Sequence, residues 1–228
     1  MMGLLIVAVF ALSVAASSAT ASPVFYTKAA IGETAPAVPF TGTLGSAFLE
    51  PASKTKITCT GGTAEGTVTS STLTKGNITK FTGCETGGLK CNSTGKGEGQ
   101  IDTNTLEGRL GAITSALPGI RLFPEATGPG GVLAEFTCGG GAVKIVVKGS
   151  VIGSLSGAAG TEPANGKFAS SSKLSFAETA GVQKYTHFEG EAAEQLESSA
   201  NGGAFEKSGQ SVIATLKSTP ASNLGFTK

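Results

Sequence analysis

The sequence predicts an all-β fold: an antiparallel two-sheet sandwich, with a barrel as the alternative closure, held by two disulfides. Three observations carry this. Runs of Thr, Ser, Val and Ile are cut about every eight to twelve residues by Gly, Pro or Asn-Gly, the pattern of sandwiches and barrels. The clearest runs alternate apolar and polar residues with period two. Four cysteines, Cys59, Cys84, Cys91 and Cys138, form an even set in a chain that begins like an exported one.

The chain opens with MMGLLIVAVFALSV, which carries no charged side chain, and reaches Ala19-Thr20-Ala21, an A-x-A cleavage pattern before Ser22-Pro23. Residues 1–21 therefore read as a secretory signal peptide. The run is shorter than the ~20 apolar residues of a membrane span, and no basic residues flank it. No stable membrane anchor is expected once it is removed. Residues 22–218 are expected to form one domain, with 22–45 as a peripheral segment and 219–228 as a flexible tail.

Within the domain, strands are expected in VPFTGTL (38–44), KITCT (56–60), GTVTSST (66–72), NITKF (77–81), GEGQID (97–102) and LEGRLGAI (106–113). They continue in GIRLF (119–123), LAEFTC (133–138) and AVKIVVKGSVIG (142–153). The last run places Val143, Ile145, Val147 and Val151 on a buried face, with Lys144, Lys148 and Ser150 opposite. KFASSSKLSF (167–176) and VQKYTHFEG (182–190) follow, then SVIATLK (211–217) with Val212, Ala214 and Leu216 inward. EGEAAEQLESSA (189–200) has helical propensity, but Asn201-Gly202-Gly203 behind it points to a hairpin. ITCTGGTAEGTV (57–68) echoes FTCGGGAVKIVV (136–147), and the echo reads as two similar Cys-ended strands without common ancestry.

Composition excludes several functions. Net charge is +1 and 14% of residues are charged, so no basic field attracts nucleic acid. The C-x6-C spacing of Cys84 and Cys91 is neither a redox C-x-x-C nor half of a paired zinc knuckle. The four cysteines therefore read as staples. Three connectivities are open. Loop-closure estimates of about 4.5 plus 2.5 kcal/mol for Cys59–Cys138 with Cys84–Cys91, and about 3.5 plus 4.1 for the sequential pairing, do not separate them. The compact Gly87-Gly88 loop favours Cys84–Cys91.

The catalytic inventory is thin. His187 is the only histidine and Asp102 the only aspartate, and no G-x-S-x-G elbow occurs. On a strand at 182–190, His187 would share a polar face with Gln183, Tyr185 and Glu189, opposite Val182 and Phe188. Glu189 and Glu191 would lie ~6.5–7 Å apart, near glycosidase spacing. The chain has no Trp and two Tyr, so it lacks the rings of a sugar cleft or platform. One aspartate cannot build a calcium loop, and GGTAEGTV and GPGGVL lack the lysine of a phosphate loop. Asn77-Ile78-Thr79 and Asn92-Ser93-Thr94 are glycosylation sequons.

FTGCETGGLKCNSTG (81–95), GQIDTNTLEGRLGAI (99–113), RLFP (121–124), AEFTCGGG (134–141), VKGSVIG (147–153) and VQKYTHFEGE (182–191) together resemble a family of secreted, four-cysteine, β-rich proteins of high-GC Gram-positive soil bacteria. The resemblance covers most of 57–217. It implies an exported, disulfide-bonded bacterial protein and transfers no catalytic residues. The expected function is a non-catalytic structural or binding module of the cell exterior. It would engage an extracellular or envelope ligand, with no cofactor, metal or nucleic acid. The alternative is an extracellular hydrolase using His187 and Glu189, with Asp102 as a third candidate.

Overall fold

The computed structural model describes residues 22–27, 37–157, 171–219 and 224–226. The expected signal peptide, and residues 167–170 of the expected strand 167–176, lie outside them.

The described chain is all β, and every pairing is antiparallel. Of the two closures open to such a chain, it adopts the barrel. Eight strands close it in chain order: Val38–Leu44, Gly61–Val68, Leu73–Thr82, Leu106–Thr114, Leu117–Pro124, Val151–Ser156, Ser172–Phe176 and Glu206–Ser218. The last pairs back to the first, Ala214 opposite Leu44 and Ser218 opposite Phe40. Closure leaves no free edge among these strands.

Seven further strands of the large sheet form a second circuit, again in chain order: Ala47–Pro51, Ile57–Cys59, Glu85–Thr86, Leu89–Asn92, Val132–Cys138, Val143–Gly149 and Leu196–Ala200. This circuit closes on the long strand Glu206–Ser218. Residues 206–211 pair with Leu196–Ala200 and Ala47–Pro51, whereas 212–218 pair inside the barrel. The chain thus alternates between the two circuits. Gly45, Thr60 and Gly149-Ser150 mark crossings. At Gly149 a φ of 102° turns the backbone, and a Cβ there would come 2.0 Å from the Gln195 carbonyl oxygen. The expected strand 142–153 is therefore two strands, one in each circuit. Its inward Ile145, Val147 and Val151 are buried as expected, but Ser150 is buried too, because it sits at the crossing and not on an exposed face.

Of the expected strand 66–72, residues 66–68 end the strand Gly61–Val68, and 69–72 are corrected to the turn before Leu73–Thr82, with the Thr69 amide donating to the Leu73 carbonyl. GEGQID keeps only Ile101–Asp102, paired to Leu73–Thr82. The hairpin expected after residue 200 is present. Asn201 and Gly202 both have positive φ, and Glu197 pairs with Lys207. The 57–68 and 136–147 echo has no structural counterpart: Gly61 and Gly62 lie within a strand, whereas Gly139, Gly140 and Gly141 form a positive-φ turn. Leu224–Phe226, in the stretch expected as a tail, pairs with Phe25–Thr27, and Phe25 and Phe226 are both buried.

The disulfides are Cys59–Cys84 and Cys91–Cys138, each with Cα atoms 4.0 Å apart. This corrects the favoured Cys84–Cys91 pairing. The Gly87-Gly88 turn does fold back tightly, with φ of 55° and 82°, and brings the Cys91 amide 3.0 Å from the Cys84 carbonyl. But the four cysteines form one row across neighbouring strands: Thr58 pairs with Glu85, Glu85 with Lys90, and Cys91 with Cys138. Strands are ~4.8 Å apart, so Cys59 and Cys138 at the ends of the row stand about 14 Å apart, beyond the ~7 Å reach of a disulfide. Only the sequential pairing uses all four.

Candidate binding cavity

Inward positions on two adjacent barrel strands are small. Gly42 faces Ala64, Leu44 faces Gly62 and Phe40 faces Gly66. GGTAEGTV thus places Gly62, Ala64 and Gly66 opposite these residues, and the two glycines are closely packed: a Cβ would come 2.3 Å from the Lys80 carbonyl oxygen at Gly62 and 2.2 Å from Asn77 Oδ1 at Gly66. Ala64 borders a cavity of about 120 Å³ lined by side chains from all eight barrel strands, which extends among Phe48, Leu133, Phe136 and Leu196 of the second circuit. An eight-stranded barrel either fills with side chains or holds one small ligand. Apolar cavities near this size accept single aromatic rings.

One wall is polar, and a bulge puts it there. Register shifts between Glu65 and Thr67 against Leu73–Thr82, and Gly76 has φ of 62°. A bulge re-aims the side chains beyond it. Thr74 points inward before the bulge, and Asn77, Thr79 and Phe81 point inward after it. Plain alternation from Thr74 would have pointed Ile78 in. Asn77 is 6% exposed. Its Nδ2 donates to Thr74 Oγ1 and to the Leu106 carbonyl, both at 2.9 Å. Its Oδ1 has no hydrogen-bond partner among the described residues. Both donors of this sequon amide are therefore used inside the barrel.

The residues named for the alternative hydrolase reading do not converge. His187 is exposed, and its Nδ1 lies 3.3 Å from Thr186 Oγ1. Glu189 Oε1 accepts from the Ser115 amide at 2.9 Å, closing the turn between Leu106–Thr114 and Leu117–Pro124. Asp102 lies on the Leu73–Thr82 ladder, accepting from Gln100 Nε2 at 3.0 Å and pairing with Lys96 Nζ at 2.9 Å. Burial pushes the Asp102 carboxyl upward. Hydrogen bonds from Lys96 and Gln100, with the Lys96 and Lys80 charges, outweigh it and hold the group below its ordinary value. The expected strand 182–190 shrinks to Val182–Gln183, with Gln183 buried and Val182 exposed, the reverse of the assigned faces. The Gln183 side-chain amide explains this: its Nε2 donates to the Ala177 carbonyl and its Oε1 accepts from the Gln210 backbone amide, both at 2.8 Å.

Residues 184–195 instead lie across the outer barrel wall. Phe188 is buried against Ile113 and Ile152. Gly111 makes room for its ring, since a Cβ there would come 2.3 Å from Phe188 Cδ2. Arg121 is 5% exposed, with its guanidinium carbon 4.9 Å from the Phe188 ring centroid. Its Nη2 lies 2.7 Å from Glu191 and its Nη1 3.4 Å from Glu194, which also accepts from Ser150. The 2.7 Å approach is an ion pair whose alignment falls short of a hydrogen bond, as Nη2 has no aligned acceptor. Glu191 thus pairs with Arg121, not with Glu189. Sequence reasoning missed this cluster, although a lone Arg inside GIRLF was its signal.

Among the described residues no group of three or more His, Cys, Asp or Glu side chains could hold a metal ion, and no helix is long and apolar enough to cross a membrane. Exposed barrel positions include Thr41, Thr43, Arg109, Lys173 and Lys217.

Fold and site together define an antiparallel β-barrel with an internal apolar cavity and a stapled second circuit. Comparison with protein-family models, curated proteins and solved structures finds no match to this chain.

Proposed function

We propose that this protein is an exported, non-catalytic binding module of the bacterial cell exterior that holds a small apolar molecule inside its barrel. The observation that carries this reading is the cavity of about 120 Å³ on the inner face of a closed barrel. Concave, mostly apolar sites with few polar groups are where small molecules bind. Export is supported by the leader-like residues 1–21 and by two buried disulfides, which persist in oxidising compartments. The absence of catalysis is supported by the separate partners of His187, Glu189 and Asp102.

Titration calorimetry with toluene tests the reading. Toluene is expected to bind, and to raise the thermal midpoint by ligand linkage. Ala64→Leu, which projects into the cavity, is expected to fold and lose that binding. Absence of toluene binding to the wild type removes the basis of the proposal. A hydrolase screen completes the test, with wild type and His187→Ala both expected at background. Turnover that disappears in the variant would establish an enzyme, because a general base contributes ~10²–10⁴-fold to rate.

A further inference from the structure

We infer that the cavity selects a small, mostly apolar molecule carrying one hydrogen-bond donor, a phenol or similar hydroxyl compound, and that Asn77 Oδ1 is the acceptor that recognises it. This inference rests on the reading of the cavity as a binding site.

The amide orientation is fixed by chemistry. The Leu106 carbonyl can only accept, so Nδ2 must face it, and Oδ1 must face away. Oδ1 is then a buried acceptor without a partner among the described residues. Buried polar groups are overwhelmingly paired, and an exception calls for an explanation. The bulge at Gly76 is what aims this residue inward, and bulges cluster beside functional sites. Gly66 completes the cradle. A Cβ there would come 2.2 Å from Asn77 Oδ1 and 2.6 Å from Phe40 Cζ, so only glycine leaves room for both.

Phe40 lines the main cavity and also a second one of about 50 Å³ beside Phe25 and Phe226, and Thr74, Ile120 and Leu216 border both. Oδ1 is fully buried, so a ligand in the larger cavity reaches it by displacing the Phe40 ring toward the smaller. The larger, at about 120 Å³, is near the size of cavities that accept a single six-membered ring.

The test compares phenol, toluene and fluorobenzene, rings of equal heavy-atom count, by titration calorimetry on the full chain. A hydroxyl that leaves water without finding a partner is penalised. A purely apolar cavity therefore prefers toluene to phenol by about tenfold or more. The wild type is expected to bind phenol at least as tightly as toluene and about tenfold more tightly than fluorobenzene. Asn77→Ala, with its fold checked by thermal unfolding, is expected to reverse the preference, toluene then binding about tenfold more tightly than phenol. If that variant does not fold, the wild-type ranking decides alone. Toluene and fluorobenzene binding with phenol tenfold weaker overturns the inference, including the case in which water already satisfies Oδ1, and leaves the binding-module reading intact. A phenol preference that survives in Asn77→Ala also overturns it. Failure of all three rings to bind removes the cavity reading itself.

Discussion

The barrel and the stapled circuit share a strand and a core, yet they are held in different ways. Barrel neighbours run along long ladders: Val38 to Leu44 pair one for one with Val68 to Gly62, and Leu106 to Thr114 pair along Pro124 to Leu117. In the second circuit the connection from Ile57–Cys59 to Glu85–Thr86 is the single pair Thr58↔Glu85. From Leu89–Asn92 to Val132–Cys138 it is two pairs, Asn92↔Thr137 and Cys91↔Cys138. The disulfides span these two junctions. Covalent bonds stand at two of the thinnest junctions of this circuit, and the barrel, closed by ladders alone, has none. Cross-linking limits the freedom of the unfolded chain, so a circuit with thin ladders gains most from it.

The largest test of this contrast removes a staple. Cys91→Ser with Cys138→Ser opens a bond with sequence separation 47, for which loop closure gives a loss of about 4 kcal/mol. Hydrogen exchange should show protection falling first in 85–92 and 132–138, with the barrel amides retained. Equal loss in barrel strands would mean that the two circuits unfold as one unit.

A smaller effect separates the faces of one strand in the stapled circuit. Ile145 is buried between Phe136 and Ala200 in the ladder, and Ile145→Ala is expected to cost about 2–5 kcal/mol even with both disulfides intact. Lys144→Ala is expected to cost under about 0.5 kcal/mol, because its pairing with Glu135 is solvent-exposed and its backbone bond to Asn201 Oδ1 survives. Similar midpoints for the two variants in a denaturant titration would show that the disulfides, not the core, carry this half.

The smallest effect concerns the seam between the halves. The loop 93–100 leaves the stapled circuit and returns to the barrel at Asp102, where Lys96, Gln100 and Ser93 gather. The folded Asp102 carboxyl titrates below its ordinary value of 3.8. Its contribution is therefore complete above the unfolded value and is lost as pH falls through the lower folded one. Wild type should exceed Asp102→Asn in stability at pH 6, and the gap should close on acidification through and below 3.8. A gap that widens in acid would reverse the sign of this coupling.

The legible part of the chain was most of its strands, with the inward residues Ile145, Val147 and Val151 of one run and Val212 and Ala214 of another. VPFTGTL, LEGRLGAI, GIRLF and LAEFTC read correctly as strands because each run lies within one element. The run 142–153 misled where Gly149 and Ser150 carry the chain between circuits, since alternation cannot reveal a crossing. VQKYTHFEG misled because Phe188 and the Arg121 cluster hold 184–195 as an irregular segment across the wall, where side-chain contacts set the backbone in place of a ladder.

By itself the sequence determined an all-β chain, strand positions, an even cysteine set and the absence of familiar catalytic motifs. These are local properties, set by side-chain type and by periods of a few residues. Tertiary structure decided the rest: two interleaved circuits, the order of the cysteines in one row, the burial of Arg121 and the inward turn of Asn77. Each depends on which strand lies beside which, and on a one-residue bulge at Gly76 that exchanges the two faces of a strand. Residues far apart in the chain fix those neighbours jointly, so no short stretch of sequence contains them.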